Sequence, residues 1–225
     1  MASLRRIADC LGLPDRFSVR RDFYGYTTRV PRPLSLLQQL RLLRGPHIHL
    51  NVICVGVESF TNRDQVEIDG ALQATRDLYA TVNLGIGRIF RFFIATAEAR
   101  GREDIGSNSE AEDLTEEWTV DNDALDVFFV LTYSGPAQGY SAIGGSCDKN
   151  SKGITGVVVA IEDAAWVTNI VLAHEIGHYL GLGHSTDRDN LMFAMGPATG
   201  MGILTASQGA IVRRHCFARP GCPES

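Results

Sequence analysis

The sequence predicts an α+β fold. Apolar runs of strand length, rich in β-branched residues, occupy 47–57, 126–133 and 156–161. Two further segments, 66–84 and 168–180, read as helices. The chain has 225 residues, of which 44% are hydrophobic and 21% charged, enough for one domain, or one domain in two lobes, around a buried core.

Residues 1–46 read as an N-terminal extension with a candidate regulatory role, and 47–225 as the main domain. The extension holds nine arginines and three acids, and prolines 31 and 33 interrupt it. The first strand begins at His47, in His47-Ile48-His49-Leu50-Asn51-Val52. In the first helix Ile68, Leu72, Tyr79 and Val82 share one face, a pattern that core packing explains. A second strand is expected over 88–97. Residues 98–123 are polar, with acids at Glu110, Glu112, Asp113, Glu116 and Glu117, and are expected to be a long loop. The glycine- and serine-rich 134–153 allows one short strand at 140–143, and the last helix is expected over 204–215.

A net charge of −5 argues against nucleic acid as a partner. No segment has the roughly 20 apolar residues that a membrane span needs. Arg5 and Arg6 are followed by too short and broken an apolar stretch for a signal peptide. The localisation is therefore open. Among five cysteines, Cys54 lies in an apolar run and reads as a small buried hydrophobe, while Cys216 and Cys222 are close enough in sequence to pair in an oxidising compartment.

The stretch that carries chemistry is His174-Glu175-Ile176-Gly177-His178-Tyr179-Leu180-Gly181-Leu182-Gly183-His184. His174 and His178 stand four apart, so a helix projects both from one face, within reach of one zinc ion. Glu175 borders the metal without ligating it, the position of a base acting on water. Gly181 can adopt the left-handed conformation that ends a helix and turns the chain, bringing His184 back as third ligand. Three protein ligands leave a fourth position open, the mark of a catalytic zinc. His47 and His49 alternate to one face of a strand start; a surface pair is the expected reading and a second metal site the alternative.

This pattern, H-E-x-x-H-x-x-G-x-x-H, resembles the signature of the metzincins, zinc endopeptidases with a two-lobed catalytic domain. The family also has a methionine in a tight turn beneath the zinc. Met192, in Asn190-Leu191-Met192-Phe193, fits that place, and its spacing from His184, with Ser185 after the histidine, looks most like the matrixin branch. The resemblance covers about residues 47–216. It implies a metzincin-like two-lobed domain: a twisted mixed sheet, a central active-site helix and a small C-terminal lobe with one helix. The sequence departs from astacins and serralysins, which have a tyrosine two residues after the methionine, and shows no clear copy of the matrixin structural-zinc and calcium loops. Cys10-Leu11-Gly12-Leu13-Pro14-Asp15 resembles the matrixin latency motif, with one extra residue after the cysteine and no arginine before it.

The expected activity is hydrolysis of internal peptide bonds in a protein or peptide substrate by a Zn2+-activated water, with Glu175 as general base and His174, His178 and His184 on the metal. Secretion is what the resemblance implies. The alternatives are a zinc amidase acting on a non-peptide substrate and a zinc-containing binding protein without turnover. The glycine-rich 139–145 is the candidate sheet edge for an extended substrate.

Overall fold

In the computed structural model, which describes residues 45–134 and 138–221, five strands form a sheet in the order β2-β1-β4-β7-β6. Most of the N-terminal extension, including the Cys10 motif, lies outside the described residues, as does Cys222. Strand β1 (His47–Val55) pairs in parallel with β2 (Gly85–Ile94) on one side and β4 (Leu125–Val130) on the other. β4 pairs in parallel with β7 (Val157–Ala160). One edge is β6 (Gly139–Ser141), antiparallel to β7. A separate parallel pair joins β3 (Asp104–Ile105) to β5 (Thr132–Tyr133).

The inner strands read as continuous apolar runs because both faces of the sheet are covered. Along β4, Val127 and Phe129 join one core cluster, and Phe128 and Val130 join the other. The first cluster packs against α1 (Asn62–Ala80) and the site helix α4 (Ala165–Tyr179). Ile68, Leu72 and Tyr79 of α1 meet Leu172, Ala173 and Ile176 of α4 there, and Tyr79 donates a hydrogen bond to the Ala173 carbonyl at 2.9 Å. α1 starts four residues before the expected 66 because Thr61 and Asp64 form a capping box.

The opposite face corrects the expected long loop. Residues 98–123 contain the end of a short helix α2 (Thr96–Ala99), strand β3, and helix α3 (Asn108–Glu117). Ser107 caps α3 through the Glu110 N–H. Glu110, Asp113 and Glu116 are exposed, while Ala111, Leu114 and the following Trp118 are buried against Ile53, Phe128 and Val158. The last helix, α5 (Ala206–Val212), is shorter than the expected 204–215 and starts with a capping box between Thr205 and Gln208. No helix among the described residues is long and apolar enough to cross a membrane.

Two ties fix the loop that follows β6. Lys149 reaches the fully buried Asp126 at 2.7 Å, and the same carboxylate accepts from Asn51 Nδ2, Thr119 Oγ1 and the Val120 N–H. Burial lowers the Lys149 pKa, and Asp126 opposes that shift. Cys147 forms a disulfide with Cys216. The Cys216–Cys222 pairing suggested by proximity in sequence is thus replaced by a bond across 69 residues, because the glycine loop folds back against the segment after α5. Cys54 is a buried free thiol, as its apolar surroundings indicate.

Candidate metal and catalytic site

The structure brings His174, His178 and His184 together, their candidate ligand atoms all within 4.8 Å of one another. α4 supplies the first two. Its end is a Schellman motif: the Gly181 N–H bonds the His178 carbonyl at 2.8 Å, and the Leu182 N–H bonds the Gly177 carbonyl at 2.9 Å. Gly181 has φ 103°, which a residue with a Cβ adopts only under strain. That reversal delivers His184, which is exposed while His174 and His178 are buried.

Second contacts set the tautomers. His174 Nδ1 lies 2.8 Å from the Leu191 carbonyl, and His178 Nδ1 lies 2.7 Å from the Leu182 carbonyl. A carbonyl only accepts, so both Nδ1 atoms carry the proton and both Nε2 lone pairs are free for a metal. His178 Nε2 and His184 Nε2 are 3.1 Å apart. Two nitrogens on one tetrahedral zinc at about 2.0–2.1 Å stand ~3.3 Å apart, so the donor set fits that ion. Burial lowers the pKa of His174 to about 4 and also lowers that of His178, so both rings are neutral at neutral pH.

Glu175 is 7% exposed beside this cluster. Burial raises its carboxyl to about 7, against a hydrogen bond from Ser141 that lowers it. A nearby dication would add a pull toward the carboxylate. Ser141 Oγ lies 2.6 Å from Glu175 Oε2 and 2.9 Å from the Glu175 carbonyl. Ser141 carries no sequence signal of its own; only its place on the edge strand, facing α4, reveals it.

Met192 is fully buried beneath the helix. The turn that holds it is closed by Ser185 N–H to the Met192 carbonyl at 2.7 Å and Met192 N–H to Asn190 Oδ1 at 3.0 Å. A Cβ on Gly177 would lie 2.6 Å from Met192 Sδ and 3.1 Å from Tyr79 Oη. Replacing Gly177 by Ala gains about 1 kcal/mol in helix propensity. Overpacking of this kind costs about 1–3 kcal/mol. The expected outcome of Gly177→Ala is therefore a lower melting temperature, read by thermal denaturation; an unchanged or higher one would show that Met192 moves aside freely.

His47 and His49 are not a surface pair: they are 0% and 1% exposed, because the start of β1 is covered by the chain near Arg219. His49 Nδ1 accepts from the Arg88 N–H at 3.0 Å, which places its proton on Nε2 and leaves that atom unable to ligate as a neutral ring. Among the described residues no third ligand joins them. His215 lies beyond α5, with Nε2 2.9 Å from the Gly145 carbonyl.

Comparison with known proteins finds likenesses in sequence and in fold. The matrixin family model matches residues 92–202. The snake venom metalloproteinase atroxlysin-1 of Bothrops atrox is 24% identical over 139 residues, 62% of this chain and 54% of that protein, so the chain spans about half the relative's length. Among solved structures, metalloproteinase-II from Bacteroides fragilis superimposes with a TM-score of 0.51 at 14% identity, over 93% of this chain and 60% of that one. The last likeness is one of fold. The chain is thus similar to metzincin-like metalloproteases, in sequence over part of its length and in fold.

Proposed function

We propose that the chain is a zinc-dependent endopeptidase in which His174, His178 and His184 hold the metal and Glu175 is the general base. The carrying observation is the convergence of three imidazoles, two of them fixed in the ligating tautomer, beside a buried carboxylate. Zinc, when bound, supplies a Lewis acid that polarises the scissile carbonyl and acidifies water. The chain supplies the rest. The Leu191 and Leu182 carbonyls orient the first two rings. Glu175 takes the proton of the attacking water and hands it to the departing amine. The outer edge of β6 lies next to Glu175, and a peptide adding there as a strand would present its backbone to the site whatever its sequence.

On the same reading residues 47–225 are the catalytic domain and 1–46 an extension. A Cys147–Cys216 disulfide fits a compartment outside the reducing cytosol, and the venom origin of one relative points the same way.

Digestion of a peptide library tests the activity. Cleavage at internal peptide bonds is expected, abolished by a chelator and restored by zinc. Cleavage confined to non-peptide amides would favour the amidase reading. Zinc binding with no turnover on any substrate would favour a binding protein.

A further inference from the structure

Edge strand β6 grips Glu175 at two points. Gly139 and Ser141 are two apart on a strand, so both face α4. A Cβ on Gly139 would lie 2.9 Å from Glu175 Cγ and 2.8 Å from Val171 Cγ1, so the bare glycine is what admits the glutamate stem. Ser141 then meets the head of the same side chain, at 2.6 Å from Oε2. Tyr140 between them points the other way, donating to Glu112 Oε1 at 3.1 Å. Glu175 Oε1 has no hydrogen bond to another described residue, so one carboxylate oxygen is held and the other is left for substrate chemistry.

A glutamate has three side-chain torsions, and even when largely buried it needs a partner to fix the last of them. Ser141 is 8% exposed, so little water reaches it. We infer that Ser141 is a positioning residue, whose hydroxyl fixes the Glu175 carboxylate and ties its orientation to the strand on which the peptide lies. This rests on the reading of Glu175 as base. The competing role is structural: the hydroxyl also sits 2.9 Å from the Glu175 main-chain carbonyl, a contact that would pin β6 to α4 without touching catalysis.

The two roles separate in kinetics. Ser141→Ala is expected to lower kcat by roughly ten- to a hundredfold, the worth of a hydrogen bond to a charged group, with KM changed little. Ser141→Thr, which keeps the hydroxyl, is expected to restore most of the loss. Zinc content and melting temperature are measured on each variant, so that failure to fold or to load metal is seen directly. The decisive arm repeats Ser141→Ala in a Glu175→Asp background. The shortened carboxylate withdraws from Ser141 while the main-chain contact stays, so the cost of removing the hydroxyl should largely vanish there. Equal losses in both backgrounds would assign Ser141 a structural role and overturn the inference. So would near-native kcat in Ser141→Ala, or a folded, zinc-loaded Ser141→Thr no better than alanine. Whether Glu175 is the base at all is decided separately, by Glu175→Ala.

Discussion

Glu175→Ala should retain the metal and lose turnover by roughly 10²–10⁴-fold, the usual weight of a positioned acid or base. Metal retention follows from geometry, since the three candidate ligand nitrogens belong to other residues. Loss of turnover follows from position: Glu175 is the carboxylate beside the histidines, buried and held by Ser141. The fold should survive, because removing the carboxyl removes a buried group whose burial opposes its own charge. Zinc analysis and peptide kinetics on one preparation check both halves. Near-native turnover would mean that another group moves the proton.

His178→Ala should abolish zinc binding and activity together. Two bonds go at once: the ring's candidate metal contact and its hydrogen bond to the Leu182 carbonyl, which helps hold the turn that delivers His184. The remaining two histidines would then face a partly exposed gap. Because metal bound only by the folded state stabilises it, wild-type protein should melt lower after chelation. The variant should melt low from the start and respond little to added zinc. Equal zinc in variant and wild type after dialysis would remove His178 from the ligand set.

Much of the site was legible because its constraints are local. His174, Glu175 and His178 lie within one helical turn and Gly181 marks the stop, so spacing alone implied the geometry, and a family likeness pointed to Met192. What depended on distant pairing was less visible. Nothing near Cys216 announces Cys147, since that bond spans 69 residues. The acids of 98–123 mask helix α3, although Ser107 with Glu110 three residues on is a start signal and Ala111, Leu114 and Trp118 mark a buried face. His47 and His49 looked exposed because histidine is polar and sits at a strand end, whereas the chain near Arg219 covers them. The edge strand was anticipated from small residues before the site helix, but its contact with Glu175 needed the fold.

The turn beneath the site has a consequence for oxidative damage. Met192 and Met195 are three residues apart, yet one is 0% and the other 90% exposed. Peroxide reaches a thioether by access, so Met195 should take up oxygen first and, lying in solvent, do so at little cost to the fold. Met192 is shielded from solvent, with its Sδ packed under Gly177. Its sulfoxide can form only when the turn has opened, and once formed it would keep the turn from closing beneath the histidines. Mass spectrometry of the two positions therefore makes a paired gauge: oxygen at 195 records exposure to oxidant, and oxygen at 192 records how often the floor of the site comes apart.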